Sequence, residues 1–392
     1  MRDETTIVHS GLHPERHQGA VNPPVFHAST ILSETVGEFR RRRQDWILEQ
    51  PGTYYGRFGT PTIEALQEAI AALEGGHRSV VYPSGLAACA GALLAFLSAG
   101  DHLLMSDTVY GPTRNFANGF LKRFGVATTY FDPLAGRSIE SLIRPETRVI
   151  YLESPGSLTF EVQDVPAIAE AARRRGISVI ADNTWGTPLY FKPFAHGVDV
   201  SVQAATKSIV GHSDAMLGAI TCTKEAWPRV RRATHELGQT AGPDDVYLGQ
   251  RGLRTLAVRL KQHWKAGVAL AEWIARQPEV ERVLHPALPG DPGHAIWKRD
   301  FTGAGGLFGV VLKEGVTDGA LCAMIDGLEL YGIGFSWGGF ESLIVPFDPR
   351  EARTATKWPH KGLCFRIHAG LENVDDLIED LDAGFGRLRA AI

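Results

Sequence analysis

The sequence has few cysteines and no closely spaced pairs of them. Among its 392 residues there are four, at positions 89, 222, 322 and 364. Zinc knuckles and dithiol redox motifs need cysteines within a few residues of one another, so this spacing excludes both. Sparse, unpaired cysteines are typical of a reducing compartment, and we expect a cytoplasmic protein.

An excess of either charge is also missing. The chain has 40 lysines and arginines against 44 aspartates and glutamates, a net charge of -4. This balance gives no reason to expect nucleic acid or an anionic membrane surface as a partner. We therefore expect the ligand to be a small molecule.

The sequence lacks an apolar run long enough to cross a bilayer. Its most apolar stretch, residues 85–100, is shorter than the ~20 residues that a span needs, and it predicts a buried helix. The first ten residues mix acidic and polar side chains, whereas a secretion signal has a basic start and an apolar run. Neither membrane insertion nor export is predicted.

The first 60 residues show little sustained periodicity and are rich in Pro, Gly, His and Arg. We interpret them as an arm that contacts a neighbouring subunit. The four arginines at 40–43 are typical of a solvated helix face more than of an anion site. Three histidines recur at helical spacing, but Gly11 and Pro14 interrupt any helix that would align them, so no metal site is expected.

From residue 61 onward, short apolar segments alternate with helical ones, beginning with a predicted helix over 61–74. The predicted strands are residues 79–83, 102–106, 127–131, 148–154, 177–182, 198–204 and 216–222. Strands separated by helices imply right-handed crossovers and a mostly parallel sheet covered by helices on both faces. The sequence thus predicts an α/β domain over residues 61–254.

A second, smaller α+β domain is predicted over residues 255–392. One long helical region, 244–276, leads into sequence rich in proline and glycine. Near the end, Asn373 precedes a run with apolar residues on one side, so we expect it to cap a helix.

In an open parallel sheet, ligands bind beyond the carboxyl ends of the strands. The turn 84–88 joins a predicted strand to a helix there. Gly85 permits close backbone approach, and a helix start offers free N–H groups to a phosphate. The turn lacks the lysine of a P-loop, so a nucleoside triphosphate is not expected. Taken alone, such a glycine can also serve packing only.

Two charged residues follow the next strand ends. Asp182 can hold a proton on a buried heterocyclic nitrogen, although alone it fits a helix or turn cap at least as well. Lys207 lies where burial favours the neutral amine of Schiff-base chemistry, although an isolated lysine is usually a surface residue. A phosphate cradle, a carboxylate and an amine are the three groups that a pyridoxal phosphate site needs.

Eight blocks of sequence extend this pattern over nearly the whole chain. They read GAVNPPVFHAST, YYGRFGTPT, YPSGLAA, ESPGSLTFEVQDVPAI, ADNTWGTPLYF, DVSVQAATKSIVGHSDAMLGA, YGIGFSWGGFESL and RIHAGLENVDDLI. In this order they resemble the Cys/Met metabolism family of pyridoxal phosphate enzymes, of fold type I. The resemblance is strongest to the branch of bacterial cystathionine β-lyases.

The resemblance implies a role for each matched residue around the cofactor ring. Lys207 would carry pyridoxal phosphate as a Schiff base, Asp182 would pair with the pyridine nitrogen, and Tyr110 would stack on the ring. Lys207, Tyr110 and Tyr55 are the implied catalytic residues.

The resemblance also implies how the phosphate is bound. The backbone of Gly85 and Leu86 and the hydroxyl of Thr206 would hold it from one subunit. Tyr55 and Arg57 would reach it from a neighbouring subunit, so that the active site is shared within a dimer. Such dimers are expected to pair into a homotetramer.

Substrate binding is implied for three further residues together with Tyr110. Arg366 would clamp the α-carboxylate bidentately, and Ser336 and Trp337 would line the pocket. The sequence departs from the family pattern at Phe335, where a tyrosine is common, and at Ala204, where many members have a serine. The first departure bears on substrate preference and the second on cofactor affinity.

The implied reaction is β-elimination of L-cystathionine to homocysteine, pyruvate and ammonia, a step of methionine biosynthesis. Trp337 and the ESPGSLTFEVQDVP block favour this outcome over that of a γ-lyase or γ-synthase. A broad cysteine-S-conjugate β-lyase is a further alternative within the family. Outside it, the alternatives are a cofactor-free Schiff-base aldolase and a non-catalytic binding protein.

Overall fold

The apolar segments after residue 61 form the strands of one large sheet. The computed structural model describes residues 1–350 and 352–392. The strands are β1 Arg78–Tyr82, β2 His102–Ser106, β3 Ala127–Phe131, β4 Thr147–Glu153, β5 Ser178–Asp182, β6 Val200–Gln203 and β7 Gly218–Cys222. Their order is β1-β7-β6-β5-β4-β2-β3, and β7 pairs antiparallel with both neighbours while the other pairings are parallel. The predicted mostly parallel sheet is confirmed.

Helices cover both faces of this large sheet. The helices of this part of the chain are α1 Asp3–His9, α2 Val36–Ile47, α3 Pro61–Glu74, α4 Gly85–Phe96, α5 Gly111–Phe116, α6 Val165–Arg173, α7 Thr187–Tyr190, α8 Trp227–Glu236 and α9 Pro243–Arg254. Alternate residues of β4 enter different cores: Ile150 packs in a cluster with Ile168 of α6, and Tyr151 in one with Leu93 of α4. Burial on both faces explains why central strands such as β4 are largely apolar.

The C-terminal part forms a second, small sheet. Its strands are β8 Val280–Leu284, β9 Leu307–Leu312, β10 Leu343–Phe347 and β11 Cys364–His368, in the antiparallel order β10-β11-β9-β8. The accompanying helices are α10 Leu256–Ile274, α11 His294–Asp300, α12 Asp318–Asp326 and α13 Val374–Ala390. The predicted α+β character is confirmed, and the Asn373 side chain accepts the Asp375 N–H at the start of α13.

Two helical predictions need correction. The first 60 residues contain α1 and α2, of which only the segment of arginines at 40–43 was interpreted as helical; these arginines lie on α2, which has no buried residue, so their interpretation as a solvated helix face is confirmed. The single helical region 244–276 is two helices, α9 and α10, which meet at Thr255. The Gly252 backbone packs so closely on the loop after Lys207 that a Cβ there would lie 2.1 Å from the Val210 carbonyl oxygen. The helices separate three residues later at Thr255, whose φ of −107° and ψ of 7° are not helical.

In the portion that the structure describes, no helix is both long and apolar enough to span a bilayer.

Candidate active site

The start of α4 forms a cradle of backbone at the edge of the large sheet. A Cβ on Gly85 would lie 2.5 Å from the Cβ of Ala204, so only glycine permits this approach. The Ser84 side chain accepts the Ala87 N–H at 3.1 Å. Within the described residues, the N–H groups of Gly85 and Leu86 donate to no other group, so they remain for an anion.

Asp182 ends β5 with a buried and firmly held carboxylate. Its Oδ1 accepts from the Thr184 backbone N–H at 3.0 Å and from the Thr184 hydroxyl at 2.5 Å. The Cys89 thiol lies 3.7 Å from Oδ2 and donates to it. Burial raises the pKa of Asp182, and these donors together with the charge of Lys207 oppose the rise. The carboxylate thus caps its turn through one oxygen and keeps the other turned inward.

Lys207 lies in the turn that follows β6, with its amine inside the site. Its Nζ donates to Ser336 Oγ at 2.5 Å and lies 5.9 Å from the centre of the Trp337 ring. Burial lowers its pKa to about 8; the positive charge of Arg366 adds to this, and the charge of Asp182 opposes it. At this pKa about a tenth of the amine is neutral at pH 7, far more than for an ordinary lysine, and the neutral amine is the form that Schiff-base chemistry needs.

The loop 336–339 of the C-terminal part packs directly on Lys207. A Cβ on Gly338, which has φ +85°, would lie 3.2 Å from the Cβ of Lys207. The Gly338 N–H donates to Nε2 of the buried His368 at 3.1 Å. Arg366 donates to the Ser336 backbone oxygen at 3.3 Å. The structure thus brings Ser336, Trp337 and Arg366 together with Lys207.

Tyr110 stands at the start of α5, beside the same groups. Its backbone N–H donates to Glu153 Oε2 at 2.6 Å. Partial burial raises the pKa of its phenol, the charges of Cys89, Glu153 and Asp182 add to the rise, and Arg366 opposes it. Tyr110 as a whole residue is 44% exposed, so a ligand can reach it.

Thr206 has its hydroxyl engaged by the backbone of the chain itself. The oxygen accepts from Leu217 N–H at 2.8 Å, and the hydroxyl donates to Leu217 O at 3.0 Å. A contact from this hydroxyl to a phosphate stays a prediction.

Tyr55 and Arg57 lie elsewhere within the single chain. Arg57 donates to the His235 backbone oxygen at 3.0 Å and covers the Phe58 ring, whose edge contacts Tyr55. Arg57 lines a cavity of about 600 Å³ between α2, α3 and α8. Among the described residues, neither side chain contacts Lys207 or Asp182, and their action from a neighbouring subunit stays a prediction.

The assembled donor set fits pyridoxal phosphate. The cradle at Gly85 has the two free N–H groups that a phosphate needs and no room for a side chain there. Asp182 supplies a buried carboxylate for a protonated ring nitrogen, and Lys207 supplies an amine of lowered pKa. All three groups lie at carboxyl ends of strands or just beyond them.

Two acidic residues of this region were not predicted from the sequence. Glu153 ends β4 next to Asp182 and holds Tyr110. Asp107, which is buried, accepts hydrogen bonds from the backbone N–H groups of Thr354, Ala355 and Thr356 and pairs with Arg114. Glu153 could have been found from the sequence, because it lies at the carboxyl end of a predicted strand of the parallel sheet, where ligands bind. The backbone partners of Asp107 at 354–356 are about 250 residues away in sequence, and no local pattern indicates them.

The family model of Cys/Met metabolism PLP-dependent enzymes matches residues 4–386. The chain belongs to this family. Its members depend on pyridoxal phosphate (PLP), so PLP is the cofactor, and the cofactor-free aldolase alternative is wrong.

Relatives in the family extend over the full chain. Cystathionine beta-lyase MetC of Escherichia coli K12 is 44% identical over 393 residues, which cover 98% of each chain. The L-alanine/L-glutamate racemase of Wolbachia pipientis wMel is 38% identical and covers 99% of this chain and 98% of the relative. The crystal structure of metB from Corynebacterium glutamicum superposes with a TM-score of 0.90 at 27% identity, covering 99% of this chain and 98% of that one.

Proposed function

We propose that this chain is a cystathionine β-lyase, which converts L-cystathionine into homocysteine, pyruvate and ammonia. The observation that carries the proposal is the contact of the 336–339 loop with Lys207, which places the Trp337 indole and Arg366 beside the reactive amine. Several relatives of 42–44% identity that span nearly the whole chain are named cystathionine β-lyases, which supports the same function.

When bound, PLP supplies an electron sink for the negative charge that develops at Cα. Lys207 is the base that removes the Cα proton, because burial makes its neutral form accessible. The Ser336 hydroxyl holds Nζ on the side of the site that Trp337 borders. Asp182, as a carboxylate, would keep a proton on the pyridine nitrogen of bound PLP.

Arg366 binds the substrate α-carboxylate. Its guanidinium donates to the Ser336 backbone oxygen and is partly buried. Burial lowers its pKa, but the pKa of an arginine is ordinarily so high that the guanidinium stays charged. A planar, charged fork in a site with little water binds a carboxylate strongly and in one orientation. The substrate Cα is thereby directed at Lys207.

Whether β- or γ-elimination occurs depends on the base, Lys207, and on the indole ring of Trp337. γ-Elimination needs a second proton to be removed, at Cβ, and the Trp337 ring narrows the space around the distal arm of the substrate. Phe335 is 95% exposed and offers no acid–base group, so it supplies no base for Cβ. It can relax selection among β-sulfur substrates, and a broad cysteine-S-conjugate β-lyase remains the alternative.

With L-cystathionine as substrate, we expect pyruvate and homocysteine in large excess over 2-oxobutyrate and cysteine. Chromatographic identification of the keto acid checks this. A parallel incubation with L-alanine, followed by chiral analysis, tests the racemase activity named for the Wolbachia relative. Mostly 2-oxobutyrate would contradict the β-lyase proposal, and rapid racemisation without keto acid would favour the racemase.

We also propose that residues 1–60 act as an arm towards a neighbouring subunit, with a large domain over 61–254 and a smaller one over 255–392. The arm exposes an unusual number of large apolar side chains, which typically mark an interface. They include Leu32, Val36, Phe39, Ile47 and Leu48, each more than half exposed. Dimers with shared sites that pair into tetramers, in a cytoplasmic location, complete the proposal.

Shared sites predict complementation between two inactive variants. Mixed subunits of Arg57→Ala and Lys207→Ala should regain activity, up to about a quarter of the wild-type rate per site for random pairing, because some hybrid sites carry both native residues. The measurement is pyruvate formation after co-refolding, with each variant refolded alone as control. Hybrids proven by mass spectrometry that stay inactive would indicate sites contained within one subunit. Thermal unfolding of Arg57→Ala shows whether the lost bond to His235 has disturbed the fold.

A further inference from the structure

Two carboxyl groups end neighbouring strands in the centre of the site. β4 and β5 are parallel, and their register pairs Glu153 directly with Asp182. Asp182 is 7% exposed, and Glu153 is partly buried. Like charges so close in a water-poor site repel, so the pair is stable with one proton bound.

The hydrogen bonds decide which carboxyl group keeps the charge. Asp182 accepts from the Thr184 N–H, the Thr184 hydroxyl and the Cys89 thiol. Glu153 accepts one hydrogen bond, from the Tyr110 N–H to Oε2. Because donors stabilise the ionised form, the negative charge belongs on Asp182.

The surrounding ionisable groups point the same way. They are Tyr151 on β4, Cys89 on α4, Tyr110 at the start of α5, Lys207 after β6 and Arg366 on β11. Among the described residues, neither cation donates to Glu153, whereas the charge of Lys207 favours the ionised form of Asp182. Burial and the charge of Asp182 both raise the pKa of Glu153 well above its usual range.

We propose that Glu153 is the protonated member of this carboxyl pair and a positioning residue for Tyr110. As a neutral acid it leaves one negative charge, on Asp182, to face the ring nitrogen. Through Oε2 it fixes the backbone of Tyr110, from which the phenol ring reaches over the site. The assignment rests on the roles proposed above for Asp182 and Tyr110.

The protonation state is measured without cofactor or substrate. Infrared spectra of the cofactor-free protein should contain the carbonyl stretch of a protonated carboxyl group at neutral pH. Glu153→Gln should remove this band. Glu74→Gln is the matched control, because Glu74 is buried in the same sheet region but bonds Asn183, Ser201 and Gln203 instead of Tyr110. Persistence of the whole band in Glu153→Gln, or its loss only in Glu74→Gln, would overturn the proposal.

The positioning role is measured on the loaded enzyme. Glu153→Gln keeps a neutral acceptor for the Tyr110 N–H, so kcat and the visible circular dichroism of the cofactor should change little. Glu153→Ala removes the acceptor and should lower kcat about ten-fold, with an altered dichroic band, since one hydrogen bond is lost. Glu153→Gln as impaired as Glu153→Ala would show that the charge itself is needed. Failure of the proposed function would instead appear as the wrong keto acid, with the infrared result unchanged.

Should Glu153→Gln not fold, carbon-13 spectra of the wild-type protein labelled at glutamate decide the protonation state. A carboxyl carbon that keeps the chemical shift of a protonated acid through neutral pH supports the proposal. The absence of any such carbon contradicts it.

Discussion

Lys207→Ala is expected to abolish β-elimination, with a fall in kcat of more than about a thousand-fold. In the proposed mechanism the side chain serves both as the attachment point of PLP and as the base for the Cα proton, and the Ser336 hydroxyl that it contacts can replace neither function. The fold should survive, because Lys207 lies in the turn after β6 and its amine donates to the Ser336 hydroxyl, a contact that the fold does not depend on. Pyruvate formation measures the activity, and circular dichroism measures the fold.

Two companion variants sharpen this experiment. Lys207→Arg keeps a positive charge but cannot lose its proton near neutral pH, so it should be as inactive as the alanine variant. Lys261→Ala removes an exposed lysine that contacts Glu4 and should be fully active. Turnover near the wild-type rate in Lys207→Ala would show that another residue carries the chemistry.

Asp182→Asn should lower kcat by about a hundred-fold or more, the range expected when control of a critical proton is lost. A neutral amide cannot favour a protonated pyridine nitrogen as a carboxylate does. The Thr184 and Cys89 donors would in addition meet an amide that has one acceptor instead of two. Steady-state kinetics and the pH titration of the cofactor absorbance band are the measurements.

Asp182→Glu serves as the counterpart of this variant. It keeps the charge but moves it, so part of the activity should return while the cofactor stays protonated on its ring nitrogen. An unchanged kcat and an unchanged absorbance titration in Asp182→Asn would remove Asp182 from the mechanism.

The large sheet was predictable from sequence because its strands are short β-type segments that alternate with helices, and the central ones are buried on both faces. The helix Pro61–Glu74 and the strands His102–Ser106 and Ala127–Phe131 lie where the periodicity predicts them. Most of α2 was not predictable in the same way, because none of its residues is buried, and only its arginines at 40–43 were interpreted as a helix face. Its side chains are instead tied down by contacts such as that of Arg42 with the Leu32 carbonyl oxygen.

Part of the site followed from the rule that ligands bind at strand ends. That rule placed Gly85, Asp182 and Lys207 together, and the structure brings all three to one edge. Arg366 and the 336–339 loop come from a part of the chain more distant in sequence, so only the family resemblance could assign them. The partnership of Glu153 with Asp182 depends on strand register, which the sequence alone does not give.

The hydrogen bonds of Asp107 should allow different rates of substitution at the two positions that they join. One carboxylate holds three consecutive backbone N–H groups at 354–356. Backbone groups are the same in every residue except proline, so Ala355 can drift among many side chains without loss of this contact. Asp107 has no such latitude, because neither an amide nor a longer acid presents the same two acceptor oxygens at that point. Substitutions should therefore accumulate at Ala355 and be removed by selection at Asp107.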